Sequence, residues 1–385
     1  MTSLWQRISP FGPRAEGIKP GVYHYQAPPD AAVPFRLHLR VEPDGSSLLI
    51  INASTVLHLN TSATAHAYEL VQGIPDEQAA SDIASRYRVG RGRALTDHQQ
   101  LKDRILMLAE HPHLDPEVYL GIERSEPFSA ATTAPYRLDL ALTYTTDPDG
   151  AQDATARKRV DRELSTDEWK SILSKAWEAG IPHVTFTGGE PTRRPDLADL
   201  IAHAQSLGQV TGLLTEGHRL ADAAYLNRLE QAGLDHMLIT MLVDDPSSMA
   251  GLRAAIASPV FAAVHLTLAP DTTDRAIGVL RQLKEMGVTA ISLSATQAGD
   301  KMANALAAAR DQTAKLGMTL MWNLPAPYSA TNPIRFELDT TPEGAGKAWL
   351  YVEPDGDVLP GQGVDRVLGN MLRDAWAGIW AKAQS

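Results

Sequence analysis

The second half of this chain repeats one short pattern, and that repetition restricts the folds open to it more than any other feature. From Tyr136 onward, apolar runs suited to strands alternate with amphipathic runs suited to helices. Expected strands are 137–144, 183–187, 209–214, 236–240, 263–268, 290–294 and 319–322. Expected helices lie near 166–179, 196–207, 221–232, 273–286 and 302–316. The phrases "EAGIPHV", "QAGLDHM" and "EMGVTAI" each set a glycine at a helix end just before the next strand. Ser165 and Glu168 have the spacing of a capping box at the first of these helices. Strand–helix alternation needs a parallel sheet, because parallel neighbours require long crossovers. The expected fold class is therefore α/β, a partial (β/α) barrel. Residues just beyond the strand ends would line one mouth, among them 145–153, 188–190, 215–216, 241–245, 269–271 and 295–297.

One stretch at that mouth combines several chemical cues. It runs Thr185–Phe186–Thr187–Gly188–Gly189–Glu190–Pro191–Thr192 and continues into a helix opening at Asp196. Gly188 and Gly189 lack a Cβ, so a ligand could approach the backbone there. Glu190 follows the strand end, where parallel α/β folds bind ligands. A carboxylate beside free backbone groups suits a ligand carrying an ammonium group. A plain strand–turn–helix connection with Glu190 in solvent would also account for the stretch.

The run "IPHVTFTGGEPTRRPDLADLIAHAQSLGQVTGLLTEGHRL" resembles the radical S-adenosylmethionine (SAM) enzymes, in particular their SPASM-type branch. The resemblance implies that Gly188, Gly189 and Glu190 hold the methionyl amine of SAM. It also implies that Glu216 replaces a small polar residue of the "TNG" segment. That would set a second carboxylate near Glu190, disfavouring two adjacent ionised groups unless a cation joins them. Other polar residues of the mouth are Arg193, Arg194, Asp244 and Asp245. The tail "AWLYVEPDGDVLPGQGVDRVLGNMLRDAWAGIWAKA" resembles the SPASM region, in which cysteines hold auxiliary clusters.

Radical SAM enzymes carry three cysteines after the first barrel strand, and these hold a four-iron cluster. By register those positions fall here on Thr146, Gly150 and Asp153, and a tail position falls on Gly361, with Ser329 at another. The chain contains no cysteine. Thiolate zinc, disulfides and cysteine-held clusters are thereby excluded on composition. The expectation is no cofactor and no iron–sulfur cluster, with residual SAM binding in a vestigial pocket of Gly188, Gly189, Glu190 and Glu216. No Ser–His–Asp, metal–His or phosphate-loop pattern offers another catalytic site. His111 and His113 flank Pro112 in a turn and read as surface residues.

Ahead of the barrel, residues 1–20 read as a tail. Residues 21–125 read as a small winged-helix-like α+β domain, 126–325 as the partial barrel, and 326–385 as the SPASM-like region. Phe35–Glu42 alternates apolar and polar, Pro43–Asp44–Gly45 is a turn, and Ser47–Asn52 is the returning strand, the mark of a hairpin. A third short strand, 56–59, and helices at 62–71, 77–87 and 97–110 follow. Asp76 is the expected cap of the second helix. "LLIINASTVLHLNTSATAHAYELVQGIPDEQAASDIASRY" resembles the pyrroloquinoline-quinone-biosynthesis chaperone (PqqD-like) family, which implies recognition of a peptide by strand addition. Arg86, Arg88, Arg91 and Arg93 would face an acidic leader or simply line a solvated loop.

A formal net charge of -11 disfavours nucleic acid and anionic membranes as partners. The first residues lack the apolar core of a signal peptide, and no run is long enough to span a bilayer, which points to the cytoplasm. The functional expectation from the empty cluster positions is a pseudoenzyme. It would act as a scaffold or regulator, with a precursor peptide or a homologous active radical SAM enzyme as partner. The alternative is an enzyme that uses the retained SAM-type pocket, for radical peptide modification if its cysteines were engineered away, or for non-radical chemistry.

Overall fold

The computed structural model describes residues 17–385 except 29, 32, 34, 53–54, 112–113, 115, 121–131, 147–159, 161, 244–247, 297–298, 322–343 and 365. The chain divides into two compact units. One comprises Met1–Ala134 with Trp177–Pro182, the other Pro135–Ala176 with His183–Ser385.

The first unit is a four-stranded antiparallel sheet followed by helices. Its strands are β1 (Gly21–Gln26), β2 (Arg36–Val41), β3 (Ser47–Ile51) and β4 (Thr55–Leu59), neighbours in that order. Helices α1 (Thr61–Val71), α2 (Asp76–Arg86) and α3 (Arg91–Glu110) follow. Leu37, Leu39, Leu49, Ile51 and Leu57 from the sheet pack with Ala63, Ala67 and Ile105 from the helices. The hairpin forms as its turn residues dictate, with Asp44 Oδ1 accepting from Ser46 N at 2.9 Å and Gly45 at φ 83°. Three details differ from expectation. Strand β1 was not anticipated, because its sequence GVYHYQ is only half-covered and both faces read as mixed. Helix α3 begins six residues before the expected 97, with Gly90 as its N-cap, so Arg91 and Arg93 are helical. Asp76 does not cap α2 but lies within it, its carboxylate accepting from Lys102 Nζ at 2.7 Å.

The second unit is built on a ten-stranded sheet. Its strands are β5 (Arg137–Thr143), β6 (His183–Gly188), β7 (Val210–Thr215), β8 (His236–Leu242), β9 (Phe261–Leu268), β10 (Ala290–Ala295), β11 (Thr319–Leu320), β12 (Trp349–Val352), β13 (Asp357–Leu359) and β14 (Gly369–Asn370). Their spatial order is β11-β10-β9-β8-β7-β6-β5-β12-β13-β14. Pairing is parallel from β11 through β12, and β13 and β14 add antiparallel strands at the far edge. The α/β expectation for this half therefore holds. The tail strands extend the same sheet, because β12 pairs with β5.

Helices Thr166–Glu178, Leu197–Leu207, Ala223–Ala232, Thr273–Glu285 and Asp300–Lys315 fall where the periodicity placed them. Ser248–Ala257 is a further helix, one that its alanine- and glycine-rich sequence did not signal. Gly180, Gly233 and Gly287 take φ between 93° and 98°, the left-handed turn that ends each helix before the next strand. The Ser165–Glu168 capping box forms, with Glu168 Oε2 accepting from Ser165 N at 2.9 Å.

The two faces of the barrel sheet differ in chemistry. Along β9, Val264, Leu266 and Leu268 are fully buried, while the alternate residues His265 and Thr267 are polar and keep 6% and 7% of their surface. Among the described residues, no helix is long and apolar enough to cross a membrane.

Candidate functional site

Strand β6 ends at Gly188, and the chain turns there against the end of β5. A Cβ on Gly188 would lie 2.2 Å from Thr143 O, and one on Gly189 2.4 Å from Thr145 O. The backbones are tied together, with Gly189 N donating to Thr143 O at 2.7 Å and Glu190 N to Thr145 O at 2.8 Å. Gly188 also sits at φ 128°, a region side chains disfavour. The space freed by the missing Cβ atoms is therefore filled by the neighbouring strand, which explains both glycines without a ligand.

Glu190 is not in solvent; it keeps 1% of its surface. Its Oε1 accepts from Thr192 N at 3.0 Å, Thr192 Oγ1 at 2.5 Å and Thr215 Oγ1 at 2.7 Å. Its Oε2 accepts from Glu216 N at 2.8 Å. Burial pushes the carboxyl above its ordinary 4.5, and the hydrogen bonds from Thr192, Glu216 and Thr215 oppose that rise without cancelling it. An ionised carboxylate offers about four lone-pair sites, two on each oxygen. Three donors crowd Oε1 and one reaches Oε2, so Oε2 retains acceptor capacity.

Glu216 joins this corner through its backbone N–H. Its own carboxylate lies 3.9 Å from His218 Nδ1. Beside it Arg219 donates to Thr192 O and stacks over the Tyr225 ring at 4.2 Å. Arg194, also expected near the mouth, is committed to Asp196, with Nη2 to Oδ2 at 2.7 Å. That pairing takes the Asp196 carboxylate, which makes no capping bond to the helix it precedes.

Of the positions matched to cluster cysteines, Gly150 and Asp153 lie outside the described residues, as do Ser329, Asp244 and Asp245. Thr146 is described and buried, and its Oγ1 has no hydrogen-bond partner among the described residues; the same holds for Thr187 Oγ1 at the end of β6. Gly361 follows β13, and a Cβ there would meet Ala345 Cβ at 3.1 Å, so the position is one of close packing. Among the described residues, no group of three His, Asp or Glu side chains is placed to hold a metal ion.

Two polar groupings on the sheet were not anticipated. Tyr144 Oη donates to Glu353 Oε1 at 2.9 Å, joining the end of β5 to the end of β12. His265 on β9 is bonded at both ring nitrogens, Nδ1 with Ser292 Oγ at 3.2 Å and Nε2 with Ser294 Oγ at 2.8 Å. Ser294 Oγ also bonds Thr267 Oγ1 at 3.0 Å. The sequence did carry a signal for this group. In the second halves of β9 and β10 every second residue is polar (His265, Thr267, Ser292 and Ser294), whereas a strand covered on both faces would read as continuously apolar.

Residues 146–293 match the model of the Radical SAM superfamily. Over that span the chain is similar to the radical SAM proteins. It is 28% identical over 292 residues to the PqqA peptide cyclase of Xanthomonas oryzae pv. oryzae, covering 67% of this chain and 75% of the relative. It is also 28% identical over 254 residues to the PqqA peptide cyclase of Streptomyces rochei, covering 59% and 70%. Its fold is similar to that of Streptococcus suis SuiB. The TM-score is 0.58 at 14% identity to SuiB bound to precursor peptide SuiA, over 95% of this chain and 88% of that one. It is 0.56 at 15% identity to SuiB bound to SAM, over 89% and 86%.

These findings overturn two expectations. The pseudoenzyme reading took empty cluster positions as lost activity, but the homologous proteins are named as peptide cyclases. The expectation of no cofactor is contradicted likewise, since residues 146–293 match the model of a superfamily named for SAM. A cysteine count of zero describes the ligands this chain can offer and does not show that a cluster is absent. The donor set itself is plain. A threonine hydroxyl at position 146 is not a soft thiolate, so the residues present do not fit a thiolate-held cluster.

Proposed function

We propose that this protein is a peptide-modifying enzyme that binds SAM at the end of β6. The observation that carries the reading is the Glu190 carboxylate, which is buried and raised by desolvation while Oε2 keeps acceptor capacity. A buried carboxylate without a cation is costly, and an ammonium group supplies the missing charge. The Glu190 oxygens would hold the methionyl ammonium of SAM. Thr192, Thr215 and the backbone of Glu216 fix the carboxylate for that task. Thr146 Oγ1, beyond β5, and Thr187 Oγ1, near the end of β6, have no hydrogen-bond partner among the described residues and are further polar groups at these strand ends. When bound, SAM supplies a sulfonium with activated carbon–sulfur bonds; the chain's part is to bind and orient it.

The peptide half of the proposal draws support from the relatives, named as PqqA peptide cyclases, and from SuiB, which is described bound to a precursor peptide. The first unit, an antiparallel sheet followed by helices, is proposed as a PqqD-like peptide-recognition element. A leader peptide would pair with an open sheet edge, β1 or β4. The strands β12–β14 with the helix Trp376–Ala383 are proposed as a SPASM-like region.

Equilibrium dialysis with labelled SAM tests the reading. The wild-type chain should retain SAM, and Glu190→Ala should weaken retention at least about tenfold, the scale of one charge-assisted hydrogen bond lost. Equal retention by the variant would contradict the assignment of Glu190, and no retention by the wild type would contradict the SAM site itself.

A further inference from the structure

The group formed by Ser292, His265, Ser294 and Thr267 lies on the same sheet, two and three strands from β7. Register places Ser292 beside His265 and Ser294 beside Thr267, so all four side chains share one face. Thr240 on β8 is level with His265 on that face. One layer nearer the strand starts, the same face is apolar, with Leu214, Leu238, Ala263 and Ala290 packed together. The four polar groups thus form a tier above an apolar floor.

Hydrogen-bond capacity decides what this tier can do. A neutral imidazole has one donor and one acceptor, and each hydroxyl has one donor and two acceptor lone pairs. The four groups therefore bring four donors, while only three bonds join them. One donor is left over in either imidazole tautomer. With Nδ1–H donating to Ser292, the surplus hydrogen is on Ser292. With Nε2–H donating to Ser294, it is on Ser294 or Thr267. Unused lone pairs remain on the hydroxyls in both cases. No ion pair of the described residues includes any of the four. Burial pushes the His265 imidazole down to about 4 from 6.5, so it is uncharged at neutral pH.

We propose that this tier is a recognition site for an uncharged amide of the peptide substrate, its surplus donor meeting the carbonyl oxygen and its spare lone pairs the amide N–H. A carboxylate or ammonium there would lose hydration with no counter-charge to replace it, whereas an amide exchanges one neutral hydrogen-bonding environment for another. The inference deepens the peptide-modifying reading by naming the part of the peptide held here. It makes His265, Ser292 and Ser294 positioning residues.

The test uses N-methylacetamide as the amide probe and the imidazole resonances of the full chain as the readout. Loss of one ring signal in His265→Gln assigns His265. N-Methylacetamide should shift that signal saturably. Acetate and methylammonium at equal concentration should leave it in place, and Ser294→Ala should weaken the amide response at least about tenfold. A merely structural hydrogen bond would lower the melting temperature of Ser294→Ala without changing the probe response. No shift with the amide, an equal shift with either ion, or a saturable shift with adenosine alone would overturn the proposal. SAM dialysis on the same sample keeps the outcomes apart. Failure of SAM binding counts against the Glu190 reading, and failure of the amide response counts only against this one.

Discussion

Glu190, just past the end of β6, and His265, on β9, are both buried polar side chains, and burial acts on them in opposite directions. At Glu190 it raises the carboxyl pKa, and four donors gathered from Thr192, Thr215 and Glu216 hold the side chain in place. At His265 it lowers the imidazole pKa, and the ring meets only neutral hydroxyls. The first corner is suited to a cation and the second to a neutral dipole. On the proposed reading, the sheet sorts the two ends of a reaction by charge: a charged cofactor beside β6 and β7, and an uncharged peptide group above β9 and β10.

The sharpest way to break the first corner is through its backbone. Gly188→Ala sets a Cβ against Thr143 O at φ 128°, which predicts a loss of more than about 4 kcal/mol and failure to fold cooperatively. Chemical denaturation checks this, and near-wild-type stability would mean the β5–β6 junction can open. Glu190→Gln is milder but more specific. Oε1 and Oε2 each accept a backbone N–H, from Thr192 and from Glu216. A glutamine must therefore turn its NH2 against one of them. The expected cost is about 1–3 kcal/mol, together with weaker SAM binding.

Acidity separates the two regions without mutation. His265 is depressed to about 4 from 6.5, so the fold favours the neutral ring. Its contribution is full above pH 6.5 and is lost as pH falls from there toward 4. Glu190 is raised above 4.5, so the fold favours its protonated form. Its contribution is present at or below pH 4.5 and is lost as pH rises through the raised value. Melting curves across this range should therefore lose the acid-side slope in His265→Gln and the opposing slope in Glu190→Gln. The smallest effect belongs to Ser294→Ala, which removes a neutral hydrogen bond for about 1 kcal/mol and should leave SAM binding unchanged.

Much of the architecture could be read from the sequence because parallel strands and their helices announce themselves locally. Apolar periodicity and terminal glycines placed 183–188, 210–215 and 261–268 within a few residues. The misses were contextual. Strand β1 is half-covered, so its pattern carried little contrast. The helix at 248–257 has small residues where an apolar stripe would have marked it. At the site, residue types pointed to Glu190, but not to its enclosure by Thr192 and Thr215, which are close only once β6 and β7 are paired. Gly188 and Gly189 were noticed for a reason other than the one that fixes them, the carbonyls of Thr143 and Thr145. His265 was overlooked because a lone histidine in a strand has no motif, and its meaning lies in serines 27 and 29 residues away.

Glu190 is proposed to read the ammonium group of SAM. Calorimetric titration of the wild-type chain with SAM and with its deaminated analogue tests that most directly. SAM should bind measurably, with the analogue at least about tenfold weaker because the charge-assisted contact to Glu190 is lost. Equal affinity for the two compounds, or no heat from SAM, would contradict it.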